Sequence, residues 1–112
     1  MDRSLTATLK YAQTSQKKME VPADIVRGMD VSKALIKLKH MTNRSADILS
    51  KVVKSALANA TNNAGYDEEN LYIDEIKLWP APKIKRISFE SRGRIKNYEK
   101  HQSFVKVILD IK

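Results

Sequence analysis

Apolar positions in this chain recur with two different periods, and the switches between them mark out its elements. From Ser4 to Tyr11, Leu5, Ala7, Leu9 and Tyr11 alternate with Thr6, Thr8 and Lys10. That period of two predicts a half-buried strand. The period then lengthens. Gln16 to Arg27 reads as a helix, with Thr14-Ser15 offering an N-cap hydroxyl and Gly28 the stop. Pro22 is a fault in it, because proline removes one helical hydrogen bond and crowds the preceding turn. The helix is therefore either kinked there or begins near Pro22. Asp30 caps a second, short helix, Val31 to His40, with Ala34, Leu35 and Leu38 as its apolar stripe. Asn43 caps a third, Arg44 to about Ala64, ended by Gly65. Its Ile48, Leu49, Val52, Val53, Ala56, Leu57 and Ala60 fall on one helical face. Burial of that face supplies the main core, at about 1.5–3 kcal/mol for each larger side chain. Two more strands follow: Leu71 to Trp79, with Ile76 and Leu78 inward, and Phe104 to Ile111, with Val105, Val107 and Leu109 in phase.

Between these last two strands the pattern changes character. Lys83 to His101 carries Lys83, Lys85, Arg86, Arg92, Arg94, Lys96 and Lys100 against only Glu90 and Glu99, a net +5 out of the whole chain's +8. Ile84, Ile87, Phe89, Ile95 and Tyr98 are spread among the charges, too few for a core and too many for a solvated linker. If the flanking strands pair antiparallel with Ile76 near Lys106, the turn falls at Ser91-Arg92-Gly93, where glycine can take a positive φ. Limbs of about a dozen residues at ~3.3 Å each would project roughly 40 Å. A two-stranded ribbon of that length is not stable alone in water and needs something to lie against. A Lys/Arg run is usually a solvated face or a tail. This one is internal, framed by strands and interleaved with apolar residues, which favours a polyanion as its partner.

Composition narrows the classes. A chain of 112 residues is one domain. Without cysteine there is no disulfide framework, thiolate metal site or thiol nucleophile. No apolar run reaches the eighteen or so residues of a membrane span, and MDRSLTATLKYAQ lacks a signal-peptide core. His40 and His101 stand alone, without metal-ligand spacing. Asp67-Glu68-Glu69 lacks the alternation of a calcium loop. No nucleophile elbow or phosphate-cradling loop is present. The expectation is a protein that is not an enzyme, with no metal and no cofactor.

Several runs together resemble a known family. Val26-Arg27-Gly28, the run from Lys51 to Ala60 (KVVKSALANA), Asn62-Asn63, Asn70-Leu71-Tyr72, Glu75-Ile76, Pro82, Lys85-Arg86, Gly93-Arg94 and Ser103 are similar to the large-subunit ribosomal protein L-twenty-two family of bacterial type. The similarity runs from about Ala12 to Asp110. It implies an α+β fold, three helices packed on a small three-stranded antiparallel sheet, with a long protruding β-hairpin at about 80–103. It also implies a structural constituent of the large ribosomal subunit. The hairpin would lie along large-subunit rRNA of the 23S type and line the nascent polypeptide exit tunnel, opposite ribosomal protein L-four. Neighbouring ribosomal proteins and the nascent peptide would be its other partners, with no membrane, the chain being a monomer within the ribosome and supporting subunit assembly.

The resemblance implies rRNA contacts at Lys85, Arg86, Arg94 and Lys100 on the hairpin, where Gly93 also matches, and at Lys17 and Arg27 in the globular part; their charge adds Lys83, Arg92, Lys96 and Lys18. Phe89, Glu90, Ser91, Arg92 and Gly93 would form the tunnel-facing tip. Three places depart from the family pattern. Phe89-Glu90-Ser91 stands where Pro-Arg-Ala is usual, Trp79-Pro80-Ala81 replaces a usually acidic stretch, and Pro22 replaces an apolar helical residue. The ribosome would be a cytoplasmic one, with an organellar ribosome as the other option. The alternative reading is a free-standing regulatory RNA- or DNA-binding protein.

Overall fold

The structure, a computed structural model, describes residues 5–90 and 93–112, of which 84–90 and 94–99 are described by backbone only. Its order is β1 (Thr6–Ala12), α1 (Gln16–Val26), α2 (Val31–His40), α3 (Arg44–Ala58), β2 (Leu71–Pro80), β3 (Ile84–Glu90), β4 (Arg94–Lys100) and β5 (Ser103–Ile111). β5 lies between β1 and β2, antiparallel to both, and β3 pairs with β4 in a second antiparallel ladder. The fold is α+β, with three helices on a three-stranded sheet: the elements are those the two periods predict, and their packing is the one the resemblance implies.

The helices cover one face of the sheet. Met19, Ala23 and Val26 of α1, Val31, Ala34 and Leu38 of α2, and Leu49, Val53 and Ala56 of α3 are fully buried. They meet Leu71, Ile73 and Ile76 of β2 and Val105, Val107 and Leu109 of β5 in one cluster. Pro22 does not start α1. Ser15 is the N-cap, its hydroxyl accepting from the Lys18 amide at 3.3 Å, and the helix runs through the proline. The Pro22 ring is itself fully buried. Apolar burial thus accompanies the missing amide donor.

Two sequence expectations shift by one residue, and a third element keeps its expected length but changes its winding. Tyr11 does not face the core. β1 pairs Leu9 with Val105 and then Ala12 with Ser103, so Lys10 and Tyr11 together oppose Phe104. Tyr11 takes φ 60 and is 54% exposed, and Ala12 takes the buried place. This bulge inserts a residue that a period of two cannot register. Ile76 pairs with Val107, not Lys106. Regular α3 stops at Ala58, and Asn59–Asn63 widen into a π-helical turn. There Asn59 Nδ2 donates to the Thr6 carbonyl at 3.0 Å and Thr61 Oγ1 donates to the Leu57 carbonyl at 3.0 Å. The first bond ties the helix end to β1, and the second lies within the helix itself.

Asp30 and Asn43 occupy the N-cap positions of α2 and α3 without a side-chain capping bond. Asp30 is used elsewhere. Its carboxylate meets Lys112 Nζ at 2.9 Å and Lys33 Nζ at 3.9 Å, so it ties the end of the chain to the start of α2. Just before it, Gly28 donates to the Ile73 carbonyl and Ile73 donates to the Met29 carbonyl, each at 2.9 Å. Gly28 has φ 85, a left-handed conformation that suits glycine. These bonds cover the outer edge of β2.

The β2–β5 pairing leads directly into the β3–β4 ladder. Pro80 pairs with Ser103, the Ala81 amide donates to the Gln102 carbonyl at 3.0 Å, and pairing resumes at Ile84 with Lys100. Two residues, Pro82 and Lys83, thus stand against one, His101. The ladder continues to Glu90 opposite Arg94. Gly93, just before Arg94, has φ 73, a left-handed conformation that suits glycine. Ser91 and Arg92 of the expected turn lie outside the described residues. β3 and β4 pair chiefly with each other. The molecule measures 60 × 27 × 19 Å with a radius of gyration of 16.7 Å. A compact chain of this length would have about 13 Å.

Two outcomes follow from this architecture. Replacing 82–101 by Asn-Gly joins the hydrogen-bonded Ala81 and Gln102 through a two-residue turn. The shortened protein should melt cooperatively with its far-ultraviolet helix signal intact, and a loss of cooperativity would place the ladder in the core. Asp30 is held below its ordinary value of 3.8, first by the hydrogen bond from Lys112, with the charges of Lys112 and Lys33 adding and desolvation opposing. A lowered folded value means that stabilisation is present above the ordinary value and is lost as pH falls through the folded one. Lys112→Ala should raise the Asp30 midpoint in an NMR titration and flatten the acid limb of stability below about pH 4.

Candidate nucleic-acid interface

Cations at alternate positions of an antiparallel ladder fall into rows, and the register decides which row each joins. Arg86 stands opposite Tyr98, Ser88 opposite Lys96, Glu90 opposite Arg94, and Ile84 opposite Lys100. Arg86, Arg94, Lys96 and Lys100 therefore share one row. Lys85, Ile87 and Phe89 stand opposite Glu99, Asn97 and Ile95 in the other. One row holds four of the ladder's five cations, and the other holds Ile87, Phe89 and Ile95. Both glutamates of the segment stand opposite a cation, Glu90 opposite Arg94 and Glu99 opposite Lys85. Glu90, the acidic residue where the family pattern has arginine, thus occupies a cross-strand position of opposite charge.

The remaining predicted contacts lie at the root of the ladder and on α1. Lys83 and Lys100 are exposed. Lys83 and His101 line a cleft of about 270 Å³ together with Ser15, Gln16 and Lys17 at the start of α1. The structure therefore joins Lys17 to the ladder root, although sixty-odd residues separate them in sequence. His101 is the residue that sequence reasoning passed over. Its signal was the pairing of the two flanking strands, which brings the root back to α1.

Lys17 and Lys18 are exposed and sit in the first turn of α1, which has no acidic residue. The helix dipole disfavours cations there. An anion bound nearby would relieve that conflict. Arg27 is different. Its Nη1 donates to Asp24 Oδ1 at 2.6 Å and its Nη2 donates to the Ile76 carbonyl at 2.8 Å, so its guanidinium ties α1 to β2. Arg92, Ser91 and the tip they would form lie outside the described residues, while Gly93 is exposed. Among the described residues there is no group of three or more metal-ligating side chains, and no helix is long and apolar enough to cross a membrane.

The sequence that builds this ladder, first turn and sheet root matches one family over nearly its whole length. The profile of ribosomal protein L22p/L17e matches residues 7–110. The chain belongs to that family. It is 42% identical over 101 residues to the large ribosomal subunit protein uL22 of Desulfotalea psychrophila, covering 90% of this chain and 92% of that protein. It is 38% identical over 107 residues to the large ribosomal subunit protein uL22 of Caldicellulosiruptor saccharolyticus, covering 96% and 88%. With the protein of the same name from Clostridioides difficile it shares 41% over 103 residues, covering 92% and 93%. Membership makes it a structural constituent of the large ribosomal subunit and not an enzyme.

The two classes of cation should separate by mutation. Arg27→Ala removes an intrachain tie and should lower stability by about 1 kcal/mol in a denaturant titration. Lys17→Ala and Lys18→Ala should leave stability unchanged or raise it by a few tenths of a kcal/mol, because they remove cations from a helix N-terminus. Equal destabilisation by all three would refute the distinction.

Proposed function

We propose that the chain binds large-subunit rRNA through the β3–β4 ladder and the first turn of α1, and that the ladder lines the wall of the nascent polypeptide exit tunnel. The observation that carries this reading is the register, which collects Arg86, Arg94, Lys96 and Lys100 in one row and Ile87, Phe89 and Ile95 in the other. The basic row would neutralise phosphates. The apolar row would pack on sugars and bases, with Ile84 and Tyr98 contributing from the basic one. A ladder that pairs chiefly with itself gains its support from the RNA, at an entropic cost offset by many phosphate contacts. Lys17, Lys83 and His101 around one cleft extend the same interface to the globular part.

In this reading the far end of the ladder approaches the tunnel constriction, facing ribosomal protein L-four and the nascent chain. Phe89, Glu90, Ser91, Arg92 and Gly93 form the tip. Glu90 opposite Arg94 offsets charge at that tip, so the lumen would meet a less cationic surface than the Pro-Arg-Ala pattern gives. RNA is recognised here by shape and backbone. Ordering the ladder on rRNA would also stabilise the folded RNA, which accounts for a role in subunit assembly.

Salt dependence tests the electrostatic core of the proposal. With about six cations on phosphate, log K for a large-subunit rRNA fragment should fall against log salt with a slope of roughly −4 to −5. A slope near zero would remove the phosphate row from the mechanism. Co-sedimentation with large subunits through a high-salt gradient should hold for the intact chain. Release at modest salt would favour a free regulatory RNA-binding protein instead.

A further inference from the structure

Across the open face of the β1–β5–β2 sheet runs a line of aromatic rings that neither the core nor the basic ladder uses. The Tyr11 and Phe104 ring centroids lie 5.3 Å apart with an interplanar angle of 59°, and those of Phe104 and Trp79 lie 5.6 Å apart at 42°. Trp79 stands directly opposite Phe104 in the β2–β5 pairing, and the bulge at Lys10-Tyr11 brings Tyr11 to the same residue from β1. The line therefore crosses all three strands. Tyr11 is 54% exposed and Trp79 is 38% exposed. Single exposed aromatics are ordinary, but a contiguous exposed row is the kind of surface that takes a partner.

The neighbouring row identifies the partner's chemistry. Lys106 stands opposite Lys77 on one side and Thr8 on the other, two residues along from Phe104 and Trp79 and hence on the same face. The Lys77 ammonium is 4.0 Å from the Glu75 carboxylate and half-exposed. A line of rings beside a line of ammonium groups matches a strand of nucleotides, each of which offers a flat π-face and a phosphate. An apolar protein segment would match the rings and would cover Lys106 and Lys77 without offering either an anion. The same strands run on through Pro80 and Ser103 to the root of the basic ladder, so one strand of RNA could follow both surfaces.

We propose that Tyr11, Phe104 and Trp79 form a stacking platform for unpaired RNA bases, with Lys77 and Lys106 meeting the flanking phosphates. This rests on the RNA-binding reading above but adds a second surface, one that holds bases where the ladder holds backbone. The rings are tilted against each other, so Tyr11 and Trp79 present two separate faces to successive bases, with Phe104 wedged between them.

Trp79 is the only tryptophan of the chain, so its emission reports directly on the platform. The intact protein is titrated with a single-stranded oligoadenylate of about a dozen nucleotides, and in parallel with inorganic polyphosphate of matched charge. Stacking should quench Trp79 emission with oligoadenylate and leave it nearly unchanged with polyphosphate. Tyr11→Ala and Trp79→Leu should each weaken oligoadenylate binding by roughly tenfold while polyphosphate binding stays constant, and Trp79→Phe should restore most of the loss. Salt-sensitive RNA binding without quenching, or equal quenching by polyphosphate, would overturn the platform and leave the ladder reading standing. Absence of RNA binding at any salt would overturn both. Full oligoadenylate affinity in Trp79→Leu would assign the face to an apolar partner and also refute the proposal.

Discussion

The antiparallel pairing of β2 with β5 is the constraint on which everything else in this molecule depends. It sets Ile73 and Ile76 beside Val107 and Leu109 and gives α1 and α3 a surface to cover. It holds Trp79 against Phe104 on the opposite face. It also launches the ladder, because the two strands leave the sheet side by side at Pro80 and Ser103. One pairing thus organises the core, the aromatic face and the basic ribbon. Its outer edge is closed by Gly28 and Met29 through bonds to Ile73, which leaves β2 no free backbone at that point to pair with another chain.

Much of the fold was legible because its periods are long and consistent. The three helices, the sheet strands and the basic insertion follow from apolar spacing, and Gly28, Gly65 and Gly93 all take the positive φ that their punctuating positions suggest. What the pattern could not show were insertions of one residue. Lys10-Tyr11 opposite Phe104 reverses the side that Tyr11 faces, and the π-turn at Asn59–Asn63 shortens regular α3. Both arise from tertiary contacts: a strand register in the first case, and the Asn59 bond to Thr6 in the second. Local spacing carries no record of either. Pro22 is a related case, since its ring is fully buried inside α1 despite its poor helical propensity.

The candidate interface divides along the same line. Its charge was plain in sequence, because seven cations in one short stretch need no structure to be noticed. Their sorting into rows was not, since it depends on the register of Ile84 with Lys100. Arg27 shows what charge leaves out. Its Nη1 and Nη2 donate to Asp24 and to the Ile76 carbonyl, so this basic residue also holds α1 to β2. Charge alone carries no sign of that intrachain role. The aromatic row was equally hidden, because Tyr11, Trp79 and Phe104 come from three separate strands and only the sheet order makes them neighbours.

The irregular step where Pro82 and Lys83 oppose His101 reaches further than its size suggests. It acts as a phase setter for the ribbon, fixing which residues of β3 are companions to which residues of β4. With the two-against-one step, Arg86 keeps company with Lys96 and Arg94. With even pairing, Lys85 would join them and Arg86 would move among Ile95 and Asn97. The chemical identity of each side of the ribbon is therefore written outside the ribbon, at its root. A lineage that gains or loses one residue there would exchange the basic and apolar sides of the β3 strand without altering a single residue of it.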